Sequence, residues 1–178
     1  MRITTFAIVC LFTLAGCATV RLGEPKQDSA AKEFKPPSEK AGVYVYRNQM
    51  IGSAIRMVVF VDGFMVGETA QKTYLYFELP PGRHTIESRA ENTDSLTADF
   101  RAGTLSYIWQ EVRVGVYSAR SSLHLVDETE GRKGVGESVL AVSNLTPPPS
   151  NRVFSESDIE IGDTVYYSTK NQPAHSLV

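Results

Sequence analysis

The strongest constraint on the fold is a dipeptide. Asp62-Gly63 stands between the apolar run Ile55 to Val61 and the shorter run Phe64 to Gly67. Asp-Gly in that setting suits a two-residue type I′ turn, whose central residues both need positive φ, so the segment predicts a β-hairpin. Ile55 to Val61 is almost continuously apolar, as expected of a central strand covered on both faces.

The rest of the middle of the chain alternates with period two. Gly42 to Arg47 does so with β-branched and aromatic residues. Thr73 to Leu79 places Leu75, Phe77 and Leu79 on one face and Tyr74, Tyr76 and Glu78 on the other. Pro80-Pro81-Gly82 then suits a type II turn, after which Arg83 to Ala90 is expected to pair back as a second hairpin, with Arg83, Thr85, Glu87 and Arg89 facing water. Leu96 to Phe100 reads as a short strand. Leu105 to Gly115 reads as a long one, with Leu105, Tyr107 and Trp109 on one face and Ile108, Val112 and Val114 on the other. Ser121 to Val126 is the last. About eight short strands joined by glycine and proline turns predict an antiparallel β-sandwich.

After the glycine-rich breaker Gly131 to Gly136 the period changes. Val135, Val139, Leu140, Val142 and Leu145 fit a helical stripe, with Glu137 in the first turn, so one short C-terminal helix is expected to close the domain. Pro147-Pro148-Pro149 ends it and opens a Pro-rich, acidic C-terminal tail, in which Ile159 to Tyr167 fits one more edge strand.

The N-terminus carries a different signal. Arg2 precedes an apolar run, Ile3 to Leu14, far shorter than the ~20 residues of a spanning helix, as in a secretory signal peptide. Leu14-Ala15-Gly16-Cys17 resembles the lipobox of bacterial lipoproteins. That resemblance implies cleavage between Gly16 and Cys17, a diacylglyceryl thioether on Cys17 and acylation of the new amino terminus, and Ala18 in place of an aspartate implies the outer membrane. The alternative is an ordinary secretory signal with Cys17 incidental. A thiolate is the nucleophile such alkylation requires, and two or three acyl chains give firm anchoring where one gives marginal binding. Cys10 would leave with the peptide, so the mature chain would hold no disulfide.

The expected organisation is a signal peptide over 1–16, a lipidated flexible tether over 17–40, the β-sandwich over 41–146 and the tail over 147–178. The tether is read from polar composition with Pro25, Pro36 and Pro37, although Ser29 to Phe34 suits a helical turn. Charged residues at 21% and apolar ones at 42% are those of a globular chain, and a net charge of -2 without a basic patch points away from nucleic acid.

No motif of catalysis stands out. His84, His124 and His175 lack the paired spacing of a zinc site, so no metal or cofactor is expected. Ser29 and Lys32 match a Ser-x-x-Lys spacing without its companion motifs. The acidic pairs Glu128 with Glu130 and Asp158 with Glu160 read as solvated charge, and Gly131 to Gly136 as a connector, or as an anion cradle if it leads into a helix. If Tyr44, Tyr46, Tyr74, Tyr76, Tyr107 and Trp109 lie on one sheet face that is left open, they would bind a partner by stacking; otherwise the closing helix or second sheet covers them.

Gly42 to about Leu145 resembles the DUF2846-type bacterial lipoproteins. The resemblance lies in Gly42 to Arg47, Val59-Phe60-Val61-Asp62-Gly63 with Val66-Gly67, Tyr74 to Leu79 followed by Pro80-Pro81-Gly82-Arg83-His84-Thr85-Ile86, and Tyr107 to Gly115. The middle of the chain is also similar to a PEGA-type module. Both comparisons imply a β-sandwich and neither implies a reaction. The expected role is a non-catalytic, membrane-anchored envelope lipoprotein, held in the outer membrane facing the periplasm by lipid on Cys17 and binding a protein or glycan partner. The alternatives are a cell-wall hydrolase or transferase acting through His84, His124 and Glu111, and an accessory subunit of a secretion or surface-assembly machine.

Overall fold

The computed structural model describes residues 18–144. The expected signal peptide over 1–16, Cys17, His175, Asp158, Glu160, the Ile159 to Tyr167 segment and the tail lie outside them. The element order is α1 (Pro25–Ala31), β1 (Ala41–Arg47), β2 (Met57–Val61), β3 (Phe64–Thr69), β4 (Thr73–Leu79), β5 (Gly82–Arg89), β6 (Thr93–Phe100), β7 (Leu105–Val114), β8 (Ala119–Val126), α2 (Glu128–Gly136) and β9 (Val139–Leu140).

The chain is mainly β, and its strands form two sheets, a five-stranded one ordered β8-β7-β1-β4-β9 and a four-stranded one ordered β3-β2-β5-β6. Their facing sides bury Val43, Val45, Leu75, Phe77 and Ile108 from the first sheet against Val59, Val61, Val66, Ile86 and Phe100 from the second. The β2–β3 hairpin turns at Asp62 and Gly63 with φ of 51° and 85°, as the dipeptide requires. Toward one end of the core the aliphatic contact gives way to a buried polar chain. Thr69 bonds Gln110, whose Nε2 donates to Ser88 Oγ at 2.6 Å, and Ser88 meets Ser121 at 2.6 Å, so each group shut away from water finds a partner.

Three expectations are corrected. The larger sheet is mixed, because β1 pairs parallel to β7 and β4 parallel to β9. Those pairs join strands distant in sequence, where no turn fixes direction. Pro80 to Gly82 does not close a hairpin: β4 pairs with β1 and β9, whereas β5 pairs with β2 and β6, so the turn carries the chain from one sheet to the other. Two prolines without N–H donors suit a chain leaving one ladder for another.

The third correction concerns the N-terminal segment. Residues 18–40 pack on the domain rather than hang from it. Pro25 occupies the first turn of α1, and Gln27 Oε1 accepts from the Glu24 N–H at 3.0 Å. The Asp28 carboxylate then accepts from Lys32 Nζ at 2.8 Å and, through Oδ1, from the Tyr74 hydroxyl and the Leu140 N–H at 2.9 Å each. Lys32 Nζ also donates to the Ser138 carbonyl at 2.7 Å, so one acidic and one basic side chain fasten α1 to β4, to β9 and to the end of α2. The Gly23 N–H donates to the Leu140 carbonyl and the Val142 N–H to the Arg21 carbonyl, flanking the Leu22–Ala141 bridge and extending the sheet edge.

Candidate functional site: the tyrosine face and the cleft beside it

Alternation along β1, β4 and β7 brings the aromatic residues together. Tyr44 stands opposite Tyr76 on one side and Tyr107 on the other, and Tyr46 opposite Tyr74 and Trp109. The Tyr44 and Tyr107 rings stack with centroids 5.2 Å apart and planes 13° apart, and Tyr76 lies 4.7 Å from Tyr44. Such spacing adds to burial through the ring quadrupoles.

The face is covered. Tyr44, Tyr46, Tyr74 and Tyr107 are at most 2% exposed, so these residues do not present an open stacking surface; Tyr76 and Trp109 remain half-buried. Phe34 lies over Tyr44 and Tyr107, the Tyr44 hydroxyl donates to the Ala31 carbonyl at 2.6 Å, and α2 lies across Tyr46 and Tyr107. The closing helix is Glu128–Gly136, earlier than the stripe suggested, and Val139–Leu140 is a strand. Asp127 caps the helix by accepting from the Glu130 N–H at 2.9 Å. Gly131 and Gly134 sit inside it because bare backbone meets rings there. A Cβ on Gly131 would approach Tyr107 to 2.2 Å, and one on Gly134 would approach Tyr46 to 2.0 Å. The glycine run is therefore neither connector nor anion cradle.

Burial pushes the Tyr46 phenol up to about 12, aided by Glu130, Glu137 and Asp127, and the Tyr76 phenol to about 12, aided by Glu78. Burial raises Tyr44, Tyr74 and Tyr107 as well. These hydroxyls stay protonated donors across the physiological range.

Beside the covered face, α1 and the Leu140 to Ser143 segment enclose a cleft of about 410 Å³, lined by Gln27, Ala31, Lys35, Tyr44, Tyr76 and Ser143 among others. The Tyr76 ring forms one wall. Its hydroxyl lies 3.4 Å from Glu78 Oε1, and Ser143 Oγ donates to its carbonyl at 3.0 Å. An aromatic wall with an amide, a hydroxyl and an ammonium nearby can stack on a ring and hydrogen-bond its substituents.

The titratable candidates are dispersed over the two sheets. His84 on β5 bonds Asp62 at 2.6 Å and the Pro80 carbonyl at 2.9 Å, bracing the β2–β3 turn and the crossover. His124 on β8 bonds Glu111 on β7 at 2.9 Å and lies 5.2 Å from the Trp109 ring. Lys32 of the Ser-x-x-Lys spacing is bound to Asp28, and Glu128 and Glu130 stand in the first turn of α2. Among the described residues no three His, Cys, Asp or Glu side chains gather as a metal site, and no helix is long and apolar enough to cross a membrane.

Sequence reasoning missed the Asp28 latch and the seated glycines, and of the two only the glycine helix carried a signal. Asp127 with Glu130 has capping-box spacing, and Gly131 with Gly134, three apart, share a helix face. These features define a two-sheet β-sandwich whose aromatic outer face is closed by helices. Residues 37–122 match the family described as a protein of unknown function, DUF2846. An uncharacterized protein of Haemophilus influenzae is 31% identical over 133 residues, spanning 74% of this chain and 79% of that protein. The chain belongs to the DUF2846 family.

Proposed function

We propose that this chain is a lipid-anchored envelope lipoprotein of the outer membrane, and that its domain is a binding module rather than a catalyst. The Leu14-Ala15-Gly16-Cys17 motif supports the anchor. The binding role rests on one observation: the cleft beside α1 sets the half-buried Tyr76 ring among the polar groups of Gln27, Lys35 and Ser143. That combination suits a glycan of the envelope better than an apolar ligand, since a sugar offers a ring face and hydroxyls together.

Titrating isotope-labelled protein with wall-derived glycan fragments tests this reading. Shifts confined to α1, Tyr76 and Leu140 to Ser143, abolished by Tyr76→Ala, are expected; no shift with any fragment sinks the glycan reading, and a photo-crosslinker at Gln27 then asks whether a protein takes its place. A hydrolase or transferase is favoured by one observation only, the 2.9 Å contact of His124 with Glu111. That pair lies on the flank of the β7–β8 hairpin, and turnover of wall fragments lost in Glu111→Gln would establish it.

A further inference from the structure

Strand direction gathers the loops at one end of the sandwich. β1 and β7 run parallel, so the loop after β1, residues 48–56, and the β7–β8 turn, residues 115–118, leave the same end. They interlock there: Gln49 Oε1 accepts from the Val112 N–H at 2.6 Å, and Ile55 packs with Met57, Val112 and Ala119. This end carries Met50, Ile51, Val114, Val116 and Tyr117, which are 71%, 57%, 87%, 79% and 95% exposed. Toward the opposite end the exposed large apolar side chains, Leu125, Phe64 and Met65, are 56%, 48% and 44% exposed, fewer and less open.

The exposed side chains stand on loops of fixed shape. The buried Arg47 guanidinium donates to the carbonyls of Ile51, Gly52 and Ile55, which sets the loop carrying Met50 and Ile51. The Glu91 carboxylate accepts from the N–H groups of Val116, Tyr117 and Ser118 at 3.1, 2.8 and 2.6 Å, which sets the other. A buried cation and a fully engaged carboxylate are thus spent on holding apolar side chains out in water, where they gain nothing. Behind the turn, Arg113 and Arg120 face each other across the β7–β8 pair, both exposed, and Arg113 meets Glu111 at 3.1 Å. Like charges directly opposite weaken a sheet, and an anionic surface would relieve them.

The same end receives Ala18, the first described residue. The Ala18 N–H donates to the Ser53 carbonyl at 2.9 Å, so the residue next to Cys17 is pinned to the loop that carries Met50 and Ile51. Adjacent Cα atoms are ~3.8 Å apart, which leaves no slack between a lipid on Cys17 and this loop. We infer that Met50, Ile51, Val116 and Tyr117 enter the headgroup region of the membrane as a second, protein-borne contact, fixing the domain with its loop end down. The inference rests on the lipoprotein reading for its orientation. Apolar and aromatic tips backed by arginines are the side chains that lie at such a boundary.

The test uses the full chain purified from membranes and placed on vesicles of phosphatidylethanolamine and phosphatidylglycerol. An environment-sensitive fluorophore is attached at Val116→Cys or, as control at the far end, at Arg101→Cys. Emission from position 116 is expected to shift to the blue and to be lost to shallow doxyl-lipid quenchers, with position 101 unchanged. Equal, weak quenching at both positions in vesicle-bound protein overturns the inference, as does crosslinking of two copies through position 116 without quenching. The mass of the N-terminal fragment, read first, judges the lipoprotein reading separately. If Cys17 is unmodified that reading fails, and quenching at position 116 on added vesicles still decides for or against the loop contact.

Discussion

The two faces of the five-stranded sheet are built from alternate residues of the same strands and are buried by different means. The inner face presents Val43, Val45, Leu75, Phe77 and Ile108 to the second sheet, and ordinary aliphatic packing suffices. The outer face presents Tyr44, Tyr46, Tyr74 and Tyr107, of which the Tyr44 and Tyr74 hydroxyls find partners as well as cover, while the Tyr107 hydroxyl is buried without one. α1 supplies the Ala31 carbonyl and Asp28, and α2 supplies a strip without side chains at Gly131 and Gly134. An aromatic row on a strand is therefore not by itself evidence of an open surface; what decides is whether nearby chain offers acceptors and room.

Substitutions separate the two modes. Leu75→Ala opens a cavity between the sheets and should cost about 4 kcal/mol in denaturant unfolding, the largest effect expected here. Gly134→Ala tests the outer face by sign. Helix propensity alone would make it stabilising by about 1 kcal/mol, whereas the collision with Tyr46 should make it destabilising by about 2 kcal/mol. Gly136→Ala, in the same helix with nothing within 4 Å, should follow propensity and stabilise. If both glycine variants gain stability, α2 does not rest on the rings. Tyr44→Phe removes only the bond to Ala31 and should cost about 1 kcal/mol.

Acid and base probe the outer face more gently. Burial alone would raise the Asp28 carboxyl, but bonds from Lys32, Tyr74 and Leu140 outweigh it and hold the group below its ordinary 3.8. Its contribution is complete above that value and is lost as pH falls below it through the folded-state pKa, so stability measured from pH 7 downward should drop there, and Asp28→Asn should flatten that limb. For the phenols the sign reverses. Tyr46 and Tyr76, raised from 10.0 to about 12, contribute fully below pH 10, and that contribution is lost as pH rises toward 12. Absorbance titration should find them ionising together with alkaline unfolding.

What was legible in the sequence was local. The Asp62-Gly63 turn and the alternation of Thr73 to Leu79 are properties of neighbouring residues, and both stand in the fold as read. Pro80 to Gly82 resembled a hairpin turn because its chemistry specifies a change of direction and not which sheet receives the next strand. The glycines of α2 resembled a breaker because their reason, the rings of Tyr46 and Tyr107, lies far away in sequence. Residues 18–40 resembled a tether because α1 is held by the polar Asp28 and Lys32 rather than by an apolar stripe. Of the candidate site, the aromatic row was visible from alternation, but its cover and the cleft at Tyr76 were not.

Hydrogen–deuterium exchange on the intact protein tests the closure of the tyrosine face most directly. Amides of the last turns of α1 and α2 (residues 29–32 and 132–137) should exchange slowly at neutral pH, as parts of the folded domain. Exchange there as fast as in an unstructured peptide, while β1, β4 and β7 remain protected, would mean that the helices do not cover the rings.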